Sequence, residues 1–232
     1  MFAELSIISN FTFLTGASHP EEYMMRASLL GLPAIAITDV NSVTGIVRAH
    51  SAARDIKRFV KDRESKDLIG PPRPQNIKKP PSLSLNTIPR LVPGSKLQLI
   101  DGFEVTVLPK SRKGWGTLCR CLSKGRLRNN KGLCDLVISE IIEELDEVVL
   151  LIHAPEAPWN PENSKLWLEN STRLKSKFKQ GVYVVLAPEY DGIDPKRFEH
   201  IMKLSQIIRC DLIASAHPIM HHSKRRKLAD VL

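Results

Sequence analysis

His153, Glu189, His217, His221 and His222 are side chains able to carry chemistry, and each falls at or just past the end of a short apolar run. Three of these histidines stand within the six residues His217-Pro218-Ile219-Met220-His221-His222, and with His153 they are imidazoles of the kind that bind zinc or copper. A phosphoester-hydrolysing metal centre asks for more, namely several imidazoles and carboxylates converging to hold the ions and to generate hydroxide at neutral pH. Pro218 breaks helical geometry, so the run reads more simply as exposed histidines at a strand-to-loop exit. His19 reads as a capping-region residue, His50 as a helix-face residue and His200 as part of a helix beginning near Asp194. Asp39, beside Thr38 at a strand exit, resembles a catalytic carboxylate but fits a helix cap or an acceptor of backbone N–H groups.

A second group is cationic. Lys110, Arg112, Lys113, Arg120, Lys124, Arg126, Arg128 and Lys131 crowd one stretch, in which Trp115, Leu118, Cys119 and Leu122 recur at helical spacing. The plain expectation is a helix with Trp115 in the core and a solvated basic face. The sharper one makes Lys110, Arg112, Lys113, Lys124, Arg126, Arg128 and Lys131 DNA contacts, because cations on one face neutralise phosphates and release counterions. Lys224-Arg225-Arg226-Lys227 is a further basic run.

The elements that position these groups follow from alternating patterns. Apolar runs predict strands over Phe2 to Ile8, Ala34 to Thr38, Lys96 to Ile100, Phe103 to Leu108, Val148 to His153, Val182 to Ala187 and Leu212 to Ser215. Helix starts stand between them at Pro20-Glu21-Glu22, Asn160-Pro161-Glu162 and Asp194-Pro195. Phe198, Ile201, Met202, Ser205 and Ile208 are expected to face inward on the last of these helices. Repeated βα units of this kind imply an α/β fold with a mainly parallel sheet or barrel, whose reactive groups collect at the carboxyl ends of the strands.

Residues from about 63 to 93 break the rhythm with seven prolines. Such a stretch is expected to form neither a helix nor a central strand, and reads as a mobile, partly polyproline-like excursion. A docking segment for a proline-reading module is the alternative.

With 232 residues, a formal charge of +9 and ordinary globular composition, the chain suits one large α/β domain or two small ones and contact with an acidic partner such as nucleic acid. Cys119, Cys121, Cys134 and Cys210 lack zinc-type spacing and read as buried or free thiols. Without a signal-peptide pattern or an apolar run of membrane length, a cytoplasmic protein with no membrane partner is expected.

Ala3-Glu4-Leu5-Ser6-Ile7-Ile8-Ser9-Asn10-Phe11, Gly16-Ala17-Ser18-His19-Pro20-Glu21-Glu22, Ile35-Ala36-Ile37-Thr38-Asp39-Val40-Asn41 and Gly45-Ile46-Val47-Arg48 together resemble the opening of the PHP (polymerase and histidinol phosphatase) domain of bacterial C-family DNA polymerases. Ile213-Ala214-Ser215-Ala216-His217-Pro218-Ile219-Met220-His221-His222, followed by Arg225-Arg226-Lys227-Leu228-Ala229-Asp230-Val231-Leu232, resembles the closing motif of that domain. The middle, Leu118 to Cys134 and Ala187 to Gly192, is most similar to the error-prone branch. The resemblance covers nearly the whole chain apart from the proline-rich excursion.

The resemblance implies a distorted, TIM-like (β/α)7 barrel over residues 1–232, with polymerase palm, fingers and thumb absent. In active members the first strand ends in H-x-H and the second in T-D-H-x; here those positions are Ser6, Ile8 and Val40. A glutamate ligand becomes Lys96, and the aspartate and first histidine of the closing motif become His217 and Ile219, leaving His221. The resemblance therefore implies that the ancestral zinc, manganese or magnesium site is degenerate, with no cofactor, no catalytic residue and His153 and His221 as residual ligand candidates. Its implied role is a non-catalytic scaffold or docking domain of an error-prone DNA polymerase, acting in replication, translesion synthesis and repair, with DNA, polymerase domains or other lesion-bypass proteins as partners. The alternative is a residual metal-dependent phosphoesterase or 3'-5' exonuclease using His153, His217 and His221.

Overall fold

The computed structural model describes residues 2–67, 83–130, 132–155 and 161–232. The class is α/β. The chain folds as two compact units: residues 1–39, 43–92 and 218–232 form the first, and residues 40–42 and 93–217 the second.

In the first unit β1 (Glu4–Ile7) pairs in parallel with β2 (Ala34–Ile37), and β3 (Arg90–Pro93) completes a sheet of order β1-β2-β3. Helix α1 (Pro20–Leu30) starts as its residues dictate: Pro20 occupies the first turn, and Glu22 reaches back to accept the His19 N–H at 2.9 Å. Gly31 ends it at φ 67°, a left-handed conformation that costs glycine little. Helix α2 (Thr44–Asp67) lays Ala49, Ala52, Ile56 and Val60 against Ile7, Tyr23, Met24, Ile35 and Ile37, the core of this unit.

The second unit is a five-stranded sheet of order β4-β5-β6-β7-β8, comprising β4 (Ser95–Gln98), β5 (Glu104–Pro109), β6 (Val148–Ile152), β7 (Val182–Leu186) and β8 (Asp211–Ala214). Helices α3 (Arg112–Leu127) and α4 (Ile138–Glu144) connect β5 to β6, α5 (Pro161–Phe178) connects β6 to β7, and α6 (Asp194–Ile208) connects β7 to β8. After His217 the chain returns to the first unit, where a 3-10 turn and α7 (Arg226–Ala229) close it.

Three expectations change. The second sheet is mixed, because β4–β5 and β5–β6 are antiparallel and only β6–β7 and β7–β8 are parallel. The stretch expected to be irregular from about residue 63 to 93 is regular at both ends: α2 runs to Asp67, and Leu85–Thr87 and β3 give regular structure up to Pro93. Prolines restrict the backbone only where they stand, and β3 occupies an end of its sheet, where a missing N–H does little harm. The prolines at 71, 72, 74, 80 and 81, Asn160 of the expected helix start, and Lys131 lie outside the described residues. On α6, Ile201, Ser205 and Ile208 are buried as expected, but Leu204 takes the inward place assigned to Met202, which is 41% exposed.

Candidate functional site

Ser6 and Ile8 are buried at the end of β1. The Ser6 N–H donates to Glu4 Oε1 at 3.0 Å. Ile8 is bound through its backbone: its N–H donates to Pro218 O at 3.1 Å, and its carbonyl accepts the Tyr23 hydroxyl at 3.0 Å. The same hydroxyl reaches Pro218 O at 3.2 Å, and burial pushes its pKa well above the ordinary tyrosine value. The Ala17 N–H donates to Ile219 O at 2.8 Å, so Ile219 also contributes through its backbone.

Asp39 is 1% exposed and turned inward. Its Oδ1 accepts the Ser9 N–H at 2.8 Å and the Thr12 hydroxyl at 3.0 Å, while Oδ2 accepts the Ser9 hydroxyl at 2.8 Å. Burial raises its pKa, and the Ser9 and Thr12 bonds partly oppose that rise. The role as an acceptor of backbone N–H groups is the one observed.

His221 lies beside Ser18, Glu22 and Arg225. Ser18 Oγ is 2.9 Å from His221 Nδ1 and accepts the His221 N–H at 3.0 Å. Glu22 Oε2 is 3.8 Å from the same Nδ1, and Glu22 Oε1 is ion-paired to Arg225. Serine, histidine and glutamate are the residue types of a nucleophilic triad, but a triad needs the hydroxyl and the acid on opposite ring nitrogens. Here both face Nδ1, and Ser18 is 1% exposed, so the group fastens the closing segment rather than activating a nucleophile. Burial lowers the His221 pKa, against the attraction of Glu22. His222 accepts the Lys224 N–H on Nδ1 at 3.1 Å and thereby caps the 3-10 turn.

In the second unit Val40 bridges in parallel to Lys96, the Asn41 N–H donates to Lys96 O at 2.8 Å, and Asn41 exchanges side-chain bonds with the Gln98 backbone. The Lys96 ammonium is 2.7 Å from Glu104 Oε2, and both side chains are mostly buried. His153 follows on β6. Its Nε2 is 2.8 Å from the Thr106 hydroxyl, its carbonyl accepts the Trp167 indole N–H at 2.7 Å, and its ring centroid is 5.2 Å from that of His217. Burial first, then the positive charge of Lys96 and the proximity of His217, hold the His153 imidazole well below its ordinary pKa. His217 has φ 43°, and its N–H donates to Ser215 Oγ at 2.9 Å.

A cleft of about 230 Å³ opens here, lined among others by Gln98, Asp101, Phe103, Glu104, His153 and Trp167. Asp101 already accepts from the Phe103 N–H and the Asn170 amide, and Glu104 already holds Lys96, so neither carboxylate stands poised as a base. Within neither unit do the described residues gather three or more His, Cys, Asp or Glu side chains able to hold a metal ion. Glu189 serves elsewhere: with Asp191 and Asp194 it surrounds Arg197, whose side chain is 5% exposed.

The basic helix α3 forms as expected, with Ser111 Oγ capping the Gly114 N–H at 3.2 Å, but its cations face acids. Lys113 pairs with Asp146 at 2.5 Å, Arg120 and Lys124 with Glu144, and Arg128 with Glu140. Arg126 donates to Asn41 O at 2.5 Å. Lys110 and Arg112 lie at the head of this helix, and Trp115 is half-buried on it. Burial raises the thiol of Cys121 to about 12, so it packs rather than reacts.

Sequence reasoning missed Glu104 and Thr106, the partners of Lys96 and His153, and Ser9, Thr12 and Ser18, the partners of Asp39 and His221. Asp101-Gly102, a hairpin-turn pair between two apolar runs, was the available signal that β4 and β5 are adjacent.

The family model described as "PHP domain" matches residues 4–163. Over the whole chain, 35% of residues are identical to an error-prone DNA polymerase of Ruegeria pomeroyi and 33% to an error-prone DNA polymerase of Rhizobium meliloti. The chain spans 21% and 18% of those relatives, about a fifth of their length. Among solved structures, one described as a metal-dependent phosphoesterase from Bifidobacterium adolescentis shares the fold at TM-score 0.57 and 10% identity, over 95% of this chain and 87% of its own. An amidohydrolase from Chromobacterium violaceum does so at TM-score 0.55 and 12% identity, over 94% and 87%. Among the described residues no helix is long and apolar enough to cross a membrane.

Proposed function

This chain belongs to the PHP domain family, and from that premise we propose that it is a non-catalytic scaffold or docking module of an error-prone DNA polymerase, acting in replication, translesion synthesis and repair in the cytoplasm. In this reading residues 1–232 make one PHP domain of the distorted (β/α)7 type, and its partners are polymerase domains, DNA and lesion-bypass proteins. Similarity over the whole of this chain to about a fifth of the length of error-prone polymerases supports the assignment.

The observation that carries the non-catalytic part is the Lys96–Glu104 pair at 2.7 Å. Where the family resemblance places a ligand glutamate, this chain has an ammonium that repels a divalent ion and occupies a carboxylate. His153, whose imidazole feels the Lys96 charge, is buried with its Nε2 against Thr106. Ser6, Ile8 and Val40 bring one hydroxyl and two hydrocarbon side chains. This donor set does not fit a multinuclear zinc, manganese or magnesium centre, in which imidazoles and carboxylates must converge.

The test is titration of the chelator-treated chain with Zn²⁺ and Mn²⁺ by calorimetry, together with hydrolysis of p-nitrophenyl phosphate. No tight binding and no metal-dependent phosphate release are expected. Two or more tightly bound ions, with hydrolysis lost in His153→Ala, would establish a residual phosphoesterase instead.

A further inference from the structure

The first unit displays an apolar pair that its own core leaves outside. Phe13 is 85% exposed and Leu14 57%, neighbours at the tip of the loop that follows β1. Adjacent exposed apolar pairs also stand at Leu29-Leu30 and Val231-Leu232, but neither pair is as exposed as Phe13-Leu14.

The loop is held from beneath. Asp39 accepts three hydrogen bonds from Ser9 and Thr12. Thr12 N–H donates to Ser9 O at 2.9 Å, and the Thr15 and Gly16 N–H groups both donate to Thr12 O at 3.2 Å. Gly16 is packed so closely on the Ser9 carbonyl that any β-carbon would overlap it. Leu14 has φ 56°, an unfavourable conformation for a branched side chain, which persists where surrounding bonds over-determine the backbone. The buried base thus fixes an exposed tip, and fixing a loop beforehand lowers the cost of binding.

We propose that the loop Asn10–Thr15 is a preformed docking knob, with Phe13 and Leu14 as anchors for the polymerase polypeptide that relatives carry outside the region matched here. This rests on the functional reading above. The matched region is about a fifth of those relatives, so most of their polypeptide is available to cover the knob. Residues 9–16 contain no charged side chain in a chain of net charge +9. A phosphate backbone is recognised by cations, whereas an uncharged aromatic-aliphatic pair suits an apolar pocket on protein.

The experiment replaces the matched region of the Ruegeria pomeroyi error-prone polymerase with this chain. Hydroxyl-radical labelling of Phe13 is compared in the chimera and in the 232-residue chain, and primer extension is measured in parallel. The expected result is labelling of Phe13 in the isolated chain and its loss in the chimera. Phe13→Ser is expected to leave the melting temperature of the isolated chain unchanged and to lower that of the chimera. A chimera that extends primer with Phe13 as reactive as in the isolated chain overturns the docking knob and spares the functional reading. One that protects Phe13 but extends no primer overturns the functional reading and spares the knob; one that does neither overturns both. Labelling of the isolated chain that falls as its concentration rises assigns the loop to self-association and overturns the proposal.

Discussion

A β-carbon on Gly45 would overlap Oδ2 of Asp39 and stand 3.1 Å from Ser9 Oγ. A flexible side chain could swing aside, but Asp39 is bound at both oxygens by Ser9 and Thr12. Gly45→Ala must therefore displace either the start of α2 or the carboxylate, and a loss of about 2–4 kcal/mol in urea unfolding is expected. Asp39→Ala, which strands three buried donors, is expected to cost a similar amount. Denaturation midpoints unchanged in both variants would show that the carboxylate does not organise this loop.

Lys96→Met tests the ion pair in the second unit. It leaves Glu104 partly buried without its cation, and a loss of about 3 kcal/mol is expected, at the low end for buried pairs because both groups retain some exposure. The same change removes one of the charges that depress His153. The His153 imidazole, followed by NMR, is expected to titrate at higher pH in the variant. A titration that does not move would place Lys96 too far away to act on His153.

How much of this could be read beforehand differs from one level to the next. The seven anticipated strands lie where apolar runs place them, because burying a strand needs local hydrophobic residues. β3 escaped notice because four residues ending in proline at a sheet end carry little of that signal. Strand direction was legible only in part: Asp101-Gly102 marks the β4–β5 hairpin, but the antiparallel β5–β6 pairing depends on how α3 and α4 cross between them. At the site, the residue types at Ser6, Ile8, Val40 and Lys96 are legible from identity, and set beside the family pattern they give the expectation of a degenerate metal site. Which carboxylate answers Lys96, or which hydroxyls answer Asp39, is set by residues distant in the chain and becomes visible only in three dimensions.

Acid weakens the fold in a definite window. His153, His200 and His221 all have pKa values lowered chiefly by burial, so the unfolded chain binds their protons more readily than the folded one. Stability is then fully present above about pH 6.5 and declines below it, by up to about 1.4 kcal/mol per pH unit for each group until the folded pKa is reached. Glu22, whose carboxyl is held below its ordinary value by the His19 N–H and Arg225 despite burial, adds a loss of the same sign below about pH 4.5. Asp39, with a raised pKa, acts in the opposite sense at acid pH. Between pH 6.5 and 5 the histidines dominate, and His153→Gln, which removes the most deeply buried of the three, is expected to reduce the slope of unfolding free energy against pH by about a third or more. An unaltered slope would exclude His153 as a source of acid sensitivity.

The acids that face α3 restrain its use as a phosphate-binding surface. Glu140 and Glu144 hold Arg128, Lys124 and Arg120, so a phosphate must compete with a carboxylate already in place. Duplex DNA binding measured by fluorescence anisotropy is therefore expected to be weak, with a shallow dependence on salt. Neutralising both acids in a Glu140→Gln, Glu144→Gln variant releases three cations on one helix face. Binding is expected to tighten, and the slope of log K against log salt to steepen by about 2, as freed side chains displace counterions. A variant that binds no better, with the parent's slope, would show that these cations serve the α3–α4 contact and that DNA is met elsewhere on the chain.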